Sequence, residues 1–350
     1  MKAWVLHKPK DIRLEEVEKP QPQAGEVLLR VKAAGICGSD IPRIYDTGAH
    51  VHPLIPGHEF AGNVVEITEG VDPQWLGARV SVFPLLPCRE CGPCRMHKYE
   101  LCRNYGYIGS RRDGAFAEYV RVPVWNLIRI PDSVSFENAA MLEPMAVAIH
   151  AIGKADPKPE ETVCVCGLGT IGMFVVMFLL ERGVKNLILI GNKEFQKKTA
   201  LSLGVREDQY IDAKQGNVTE KVQEMTGGLG ADVYFEAVGS NTAVSQALDC
   251  VGAFGRVQII GNPLSDMHLD RNTYWKILRN ELAVKGGWNS SFDHSPEDDW
   301  SFVMETLSRH SVDPSVFITH KFPVERLEEG FLIMRDKTED YMKIMMVGDD

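Results

Sequence analysis

The sequence predicts an α/β protein of two domains, a β-rich domain followed by a doubly wound parallel sheet. Its 350 residues are enough for two domains, each with its own core. Short β-type runs broken by Gly and Pro, such as "EVLLRVKAAG" and "FAGNVVEI", fill the first part of the chain. From about residue 160, continuous apolar runs alternate with helical patterns, as buried parallel strands and their crossover helices do.

These patterns place the β-rich domain in residues 1–150 and the parallel sheet in residues 151–288. Residues 289–350 contain two helical patterns and a strand-like "YMKIMMVG", and we expect them to fold back onto the first domain. The candidate strands of the parallel sheet are "TVCVCG", "NLILIG", "DQYIDA", "ADVYFEAVG", "GRVQIIG" and "ELAVKGG".

Composition and charge exclude some classes of partner. Hydrophobic residues make up 44% of the chain and charged residues 25%, as in ordinary globular proteins. The net charge of −10 predicts no nucleic-acid partner, because such binding needs a cationic surface. "MKAWVLHKPK" lacks the apolar centre of a signal peptide, and the longest apolar stretch, "MFVVMFLL", is too short to span a bilayer. We therefore expect a cytoplasmic protein with no membrane partner.

Four of the eight cysteines are clustered in "PCRECGPCRMHKYELCRN". In a reducing compartment such thiols are more often metal ligands than disulfides. The spacing C-x2-C-x2-C-x7-C suits a closed, structural zinc site. An iron–sulfur cluster shares the first two spacings, but the last one differs, and disulfides are a third alternative. The predicted ligands are Cys88, Cys91, Cys94 and Cys102.

A glycine-rich segment predicts a dinucleotide site. "TVCVCGLGTIGMFVVMFLLERG" has a strand, then Gly167, Gly169 and Gly172 in the spacing G-x-G-x-x-G, then an apolar helix. The first glycine allows a tight turn, the second admits the pyrophosphate, and the third lets helix and strand pack closely. Thr170 and Ile171 would begin the helix whose N-terminus faces the phosphates.

The end of the next strand bears on the choice between NAD and NADP. A carboxylate usually follows this strand when the ribose 2′-hydroxyl of NAD is bound. Here the strand ends in Gly191, Asn192 and Lys193. Because a lysine can pair with a 2′-phosphate and no carboxylate repels it, we expect NADP to be favoured over NAD. The alternative is that Glu194 serves the ribose and Lys193 is only a solvated surface residue.

Three residues on separate turns raise the question of a second metal. Cys37 lies in "AGICGSD", and His58 and Glu59 lie side by side in "PLIPGHEFAG". They either meet around a metal ion or are a buried thiol, a core histidine and an ordinary acid. Cys164, Cys166 and Cys250 lie in apolar surroundings, and we expect them in the core.

These motifs, in the order "GICGSD", "GHE", clustered cysteines and "GLGTIG", resemble those of the zinc-dependent medium-chain alcohol and polyol dehydrogenases over essentially the whole chain. The resemblance implies a GroES-like catalytic domain, a Rossmann-type cofactor domain, and a catalytic zinc in addition to the structural one. It also implies hydride transfer between a secondary alcohol and NAD(P), and assembly into a homodimer or homotetramer.

The resemblance also implies roles for individual residues. Cys37 and His58 take the positions of catalytic-zinc ligands, and Glu143 in "LEPM" is favoured over Glu59 as the third. Asp40 matches a carboxylate that orients the ligating histidine, and Ser39 matches a hydroxyl that accepts the substrate proton. One departure is Pro42, which stands where alcohol dehydrogenases often place the last histidine of the proton relay.

For the substrate, the likeness includes "YIGSRRDGAFAEY" and implies a polyol phosphate. Arg111 and Arg112 in this stretch could grip the phosphate, because a planar guanidinium matches its oxygens. Another polyol or threonine as substrate is the nearest alternative. A non-catalytic NADP-binding protein would be expected to lack the catalytic-zinc ligands, and this chain has them.

Overall fold

The protein is described here by a computed structural model that covers residues 1–263 and 265–348. It divides into two compact units. The first contains Met1–Pro144 together with the C-terminal segment that begins at Ser290, and the second is Met145–Asn289.

The strands are β1 Lys2–Lys8, β2 Asp11–Glu16, β3 Glu26–Gly35, β4 Glu59–Ile67, β5 Arg79–Val82, β6 Leu85–Leu86, β7 Gly106–Tyr107, β8 Tyr119–Pro123, β9 Leu127–Arg129, β10 Thr162–Cys166, β11 Asn186–Gly191, β12 Tyr210–Asp212, β13 Ala231–Glu236, β14 Val251–Ile259, β15 Ala283–Gly286, β16 Ile318–Phe322 and β17 Lys343–Val347. The helices are α1 Asp40–Tyr45, α2 Gly92–Arg95, α3 Phe136–Ala140, α4 Leu142–Ala155, α5 Thr170–Glu181, α6 Glu194–Ser202, α7 Val218–Met225, α8 Asn241–Cys250, α9 Arg271–Arg279, α10 Asp299–Ser308 and α11 Leu327–Asp336.

The first unit is built on a mixed sheet of order β16-β17-β3-β4-β5-β9, in which β8 also pairs with β3. The long strand β3 runs antiparallel to β4, β8 and β17, so the C-terminal segment supplies part of this sheet. Trp4 ties the two ends of the unit together, since its indole N–H donates to the carbonyl of Val324 at 2.7 Å and its ring meets Phe331 edge-on. The buried apolar side chains include Val27, Leu29, Val31, Phe60, Val64, Val80, Phe116, Phe331, Ile344 and Met346.

Burial of these side chains is what stabilises the first unit. Each fully buried large apolar residue contributes about 1.5–3 kcal/mol relative to exposure to water. The contributing residues come from strands far apart in sequence, so the sheet and its core form together.

The second unit is a six-stranded sheet of order β12-β11-β10-β13-β14-β15, and all neighbouring pairs are parallel. Each of the six strands expected from the sequence is present, and the predicted α/β fold class is confirmed. Chain order reverses beside β10, which has β11 on one side and β13 on the other. In such sheets ligands bind at the carboxyl ends of the strands, next to this reversal. As expected, Cys164, Cys166 and Cys250 are buried in the core of the unit.

The glycine-rich turn between β10 and α5 depends on two glycines. Gly167 has φ +93°, a backbone conformation that side chains with a Cβ rarely adopt. A Cβ on Gly172 would lie 2.0 Å from the carbonyl oxygen of Gly167. The third glycine therefore permits the close packing of α5 on the turn, as the sequence motif predicts.

Across the described residues, every helix falls short of the length and apolar character that a bilayer-spanning segment requires.

Candidate metal centres and dinucleotide site

The four-cysteine cluster lies on the loop between β6 and β7. α2 begins directly after Cys91, and its single turn carries Cys94 back towards the other thiols. One ligand atom from each of the four residues lies within 4.8 Å of the others, and all four are free thiols. Four sulfur ligands at this separation fit a tetrahedral zinc ion and leave no position for a substrate.

Without a bound metal ion, the groups around the cluster do not stabilise all four cysteines as thiolates. The backbone N–H groups of Arg103 and Cys94 lower the pKa of Cys91 to about 6. Burial has the opposite effect on Cys94 and raises its pKa to about 12. Because thiolates this close repel one another, the fully ionised set requires a bound cation.

Strand pairing brings the second candidate centre together. β3 and β4 are antiparallel, and Gly35 at the end of β3 pairs with Glu59 at the start of β4. Cys37 follows β3 by two residues and His58 precedes β4 by one, so both lie at the same end of this strand pair. Ligand atoms of Cys37, His58 and Glu59 lie within 4.8 Å of one another.

The approach of the chain to His58 requires a glycine. Gly57 has φ +100°, and a Cβ there would lie 2.8 Å from the backbone nitrogen of Phe116. The buried imidazole of His58 is therefore delivered by a turn that a larger residue would push away from its neighbour.

Asp40 supports the centre from a fully buried position. Its carboxylate accepts the N–H of Cys37 at 3.0 Å and the guanidinium of Arg43 at 2.5 Å, and it lies 3.5 Å from Nδ1 of His58. Burial alone would raise the pKa of Asp40, but the charges of His58 and Arg43 and the N–H of Cys37 lower it. Burial likewise disfavours protonated His58, yet the charges of Asp40 and Cys37 raise its pKa well above the usual range.

Ser39 lies beside the same thiol. Its hydroxyl donates to Sγ of Cys37 at 3.3 Å, and the residue is half-buried. A hydroxyl at this place can exchange a proton with a group held against Cys37, which is the role expected for it.

Glu59 is paired with a lysine that sequence analysis did not place in the centre. Nζ of Lys343 lies 2.5 Å from Oε2 of Glu59 and also donates to the carbonyl of Ile36 at 3.3 Å. Both side chains are almost fully buried. Burial acts to lower the pKa of Lys343, but the charges of Glu59, Cys37 and Glu143 and the hydrogen bond to Glu59 together raise it. The signal in the sequence was a lone lysine within the apolar strand "YMKIMMV".

Glu143 lies near this centre with a different partner. Its Oε1 accepts the hydroxyl of Tyr107 at 3.1 Å, and the Tyr107 ring meets His58 edge-on. Burial raises the pKa of Glu143 to about 7, although the charge of His58 acts against this. Glu143 does not belong to the close set of ligand atoms within the described residues, whereas Glu59 does. The geometry thus favours Glu59 as the third ligand, opposite to the preference drawn from the sequence.

The two arginines expected to hold a phosphate have different partners in the structure. Arg112 donates to Glu26 at 2.6 Å and is largely buried, so its guanidinium is already paired with a carboxylate, and its contact with a phosphate stays a prediction. Arg111 is exposed, and its guanidinium lies over the ring of Tyr105 at 4.7 Å from the ring centre. Partial burial of His50 and the positive charges of Arg111 and Arg43 lower the pKa of this histidine. A lowered pKa favours the neutral imidazole of His50, so Arg111 and Arg43 are the cationic members of this set.

The second unit holds a cavity of about 350 Å³ at the carboxyl ends of its parallel strands. Gly167 and Gly169 of the glycine-rich turn, and Gly191 and Asn192 after β11, line it. The lining residues in the described part of the chain include no Asp or Glu.

Around this cavity, the predicted cofactor residues occupy the element ends. Thr170 and Ile171 begin α5, and Lys193 is the N-cap residue of α6. The backbone N–H of Asn192 donates to Gln196 at 3.3 Å, and the hydroxyl of Tyr210 donates to the carbonyl of Lys193 at 3.2 Å. The start of α5 is a helix N-terminus, and the dipole and backbone N–H groups of a helix N-terminus suit a pyrophosphate.

The donor sets fit the groups expected. Cys37, His58 and Glu59 would hold a zinc ion as one thiolate, one imidazole and one carboxylate, which leaves a coordination position open for a substrate oxygen. The four cysteines would hold a second, structural zinc. The fold and these sites define a zinc-type dehydrogenase.

Comparison with known proteins identifies the family. Residues 23–132 match the model of the alcohol dehydrogenase GroES-like domain, and residues 170–309 match that of the zinc-binding dehydrogenases. The chain is 30% identical to galactitol 1-phosphate 5-dehydrogenase of Escherichia coli K12, with 99% of this chain and 100% of the relative covered. It is also 30% identical to erythritol/L-threitol dehydrogenase of Mycolicibacterium smegmatis, with 99% and 97% covered. The chain belongs to the zinc-binding dehydrogenase family.

Solved structures agree with this assignment. Galactitol-1-phosphate dehydrogenase from Escherichia coli superposes with a TM-score of 0.91 at 30% identity, covering 99% of this chain and 100% of that one. A putative zinc-binding dehydrogenase of Sinorhizobium meliloti bound to NADP gives a TM-score of 0.89 at 26% identity, with 99% and 98% covered. A dehydrogenase of Escherichia coli complexed with NADH gives 0.90 at 28%, with 99% of each chain covered. The first unit is thus GroES-like and the second Rossmann-like.

The third ligand can be identified by comparing two isosteric variants. We expect Glu59→Gln to lose zinc from the Cys37 centre while keeping the four-cysteine zinc, because a neutral amide is a poor zinc ligand. Glu143→Gln should keep both ions. Metal content after dialysis against a mild chelator measures this. Loss of the first zinc from Glu143→Gln alone would restore Glu143 as the ligand.

Proposed function

We propose that the protein is a zinc-dependent, NAD(P)-linked dehydrogenase of a polyol phosphate. The observation that carries the proposal is the grouping of Cys37, His58 and Glu59 with the hydroxyl of Ser39 beside the thiol. The proposed reaction interconverts galactitol 1-phosphate and tagatose 6-phosphate. Its support is the relative of that name, which is 30% identical over the full length.

The chain's own residues would position and deprotonate the alcohol. When bound, zinc supplies a Lewis acid for the alcohol oxygen and NAD(P) accepts the hydride. Ser39 would accept a hydrogen bond from the substrate hydroxyl at Oγ and, as it takes that proton, release its own hydroxyl proton towards solvent. Asp40 keeps the imidazole of His58 in one orientation, which is a common role of carboxylates behind metal-binding histidines. Lys343 limits the movement of Glu59 by holding one of its oxygens.

A phosphorylated substrate is supported by Arg111, an exposed arginine whose guanidinium lies over the ring of Tyr105. Arg43 is paired with Asp40, so Arg111 is the side chain best able to meet a phosphate directly. The alternative is an unphosphorylated polyol or threonine as substrate. The relatives named erythritol/L-threitol dehydrogenase and L-threonine 3-dehydrogenase are each 30% identical to this chain, as is the galactitol enzyme. Sequence identity therefore supports the alternative substrates equally well.

We propose NADP as the preferred cofactor. Support comes from Lys193 at the start of α6 and from a cavity lining without carboxylates in the described residues. A carboxylate after β11 would repel a 2′-phosphate, and here Gly191 and Asn192 occupy that position.

We also propose that the protein assembles as a homodimer through β15. This strand ends the order of the parallel sheet, and its residue Val284 is 41% exposed. Trp275 and Leu278 on the neighbouring sequence element α9 are at least half exposed. An open strand edge with apolar neighbours suits a second copy of itself, because antiparallel pairing across a two-fold axis satisfies both edges.

A substrate panel with a matched pair of variants tests the function. Phosphate esters of polyols should be oxidised more efficiently than the free polyols. Arg111→Ala should raise the KM for the ester about tenfold and leave that for the free polyol unchanged, since one charge-assisted contact is lost. Arg13→Ala, an exposed arginine on β2, is the control. Equal efficiency for esters and free polyols would refute the phosphate proposal, and no turnover of any alcohol would refute the dehydrogenase.

Cofactor preference rests on Lys193. We expect Lys193→Ala to raise the KM for NADP about tenfold and to change that for NAD little, because only the 2′-phosphate is lost as a partner. Lys198→Ala, which changes a lysine further along α6, is the control and should change neither KM value. Steady-state kinetics with each cofactor measure the effect, and an unaltered ratio of the two KM values would contradict the assignment.

The dimer is tested by placing a charge at the strand edge. Val284→Asp should convert the protein to monomers, because at a two-fold axis each new carboxylate meets its own copy. Leu229→Asp, at a loop residue that is 81% exposed, should leave the assembly intact. Light scattering after gel filtration reports the mass. A monomeric unmodified protein, or a Val284→Asp dimer, would count against this interface.

A further inference from the structure

Glu236 is a buried carboxylate in the dinucleotide unit whose partners are backbone groups. It is the last residue of β13 and is fully buried. Its Oε1 accepts the N–H groups of Val238 and Gly239, both at 2.8 Å. The side chain thus closes a tight turn immediately after its own strand.

The second oxygen of Glu236 is buried as well. Within the part of the chain that the structure describes, its Oε2 has no hydrogen-bond partner. A buried carboxylate costs folding free energy unless it is hydrogen-bonded or paired with a cation. The two hydrogen bonds that Oε1 accepts offset part of this cost and fix the turn.

The turn that Glu236 closes is packed against the glycine-rich turn. A Cβ on Gly167 would lie 2.7 Å from Cγ2 of Val238 and 2.8 Å from the carbonyl carbon of Ala237. The N–H of Ala237 also donates to the carbonyl of Cys166 at 2.9 Å. With no free space between the two turns, a displacement of Val238 displaces Gly167 as well.

The other side of the turn is equally confined. A Cβ on Gly239 would lie 1.8 Å from the carbonyl oxygen of Asn262. The backbone carbonyl of Glu236 accepts the N–H groups of Ile260 at 2.8 Å and Gly261 at 3.0 Å. The segment is therefore also held by the residues that follow β14, while the Glu236 side chain holds the N–H groups of Val238 and Gly239.

This segment forms a wall of the nucleotide cavity. The lining of the cavity includes Ala237, Val238 and Ser240 from this segment, together with Gly167 and Gly169. Glu236 itself is not among the lining residues. Its influence on a bound nucleotide is therefore indirect.

We propose that Glu236 is a positioning residue for the cofactor, which sets the wall Ala237–Ser240 and, through Val238, the glycine-rich turn. This inference rests on the proposed use of NAD(P) and does not depend on which alcohol is the substrate. The acceptor geometry of Oε1 carries the effect, since it alone contacts the two N–H groups.

Direct cofactor binding tests the proposal. Glu236→Ala should raise the dissociation constant for the preferred cofactor about tenfold, because the turn loses both of its side-chain hydrogen bonds. Glu236→Gln should stay within about twofold of the unmodified protein, since the amide oxygen can accept the same two N–H groups. Titration of the intact protein by its tryptophan fluorescence, without any alcohol, gives both constants. The zinc content should be the same in all variants.

A matched control separates positioning from loss of stability. Val222→Ala removes a fully buried side chain in α7, away from the cavity lining, and should lower the melting temperature without weakening cofactor binding. If Glu236→Ala does not fold, Glu236→Asp withdraws the oxygen by one methylene and should weaken binding to a smaller extent.

Three outcomes would overturn the inference: unchanged binding by Glu236→Ala, equal weakening by Val222→Ala, or a Glu236→Gln variant as weak as Glu236→Ala. Failure of every alcohol in the substrate panel would refute the proposed reaction and leave these binding results standing. An unmodified protein that binds neither NAD nor NADP would refute both.

Discussion

The antiparallel pairing of β3 and β4 is the constraint on which the candidate catalytic centre depends. The pairing of Gly35 with Glu59 places Cys37 and His58 at one end of the same strand pair, although they are far apart in sequence. Two buried ion pairs lie beside them, Asp40 with Arg43 and Glu59 with Lys343. Removal of one member of such a pair leaves an uncompensated charge in the core, so the strand register and the electrostatics of the centre stabilise each other.

In the dinucleotide unit, the geometry of the site depends on the close approach of backbone segments to one another. Gly172 allows α5 to pack on the carbonyl of Gly167, and Gly167 in turn packs on the segment that Glu236 holds. Cavity shape therefore depends on glycines at contact points and on a carboxylate outside the lining. Such a wall is rigid because every displacement meets another backbone atom.

Local motifs explain which parts of the site could be predicted. The four cysteines lie on one loop, and their spacing brings the thiols together. The glycine spacing similarly specifies a turn and a helix start that the structure contains. By contrast, the choice between Glu59 and Glu143, the pairing of Arg112 with Glu26, and the position of Lys343 depend on contacts between distant segments. Neither side-chain type nor spacing distinguishes a phosphate-binding arginine from one that neutralises a buried glutamate.

The amino-acid sequence by itself determined the fold class, the six strands of the parallel sheet, the four-cysteine cluster and the glycine-rich turn, because each follows from periodicity or spacing within a few tens of residues. Only the tertiary structure decided that ligand atoms of Glu59, and not of Glu143, lie within 4.8 Å of those of Cys37 and His58 among the described residues. It also decided the contacts of Lys343 with Glu59, of Tyr107 with Glu143, and of Glu236 with its own turn. These assignments depend on which side chains share a buried, low-dielectric volume. That neighbourhood is created by the pairing of strands distant in the chain and has no local signature in the sequence.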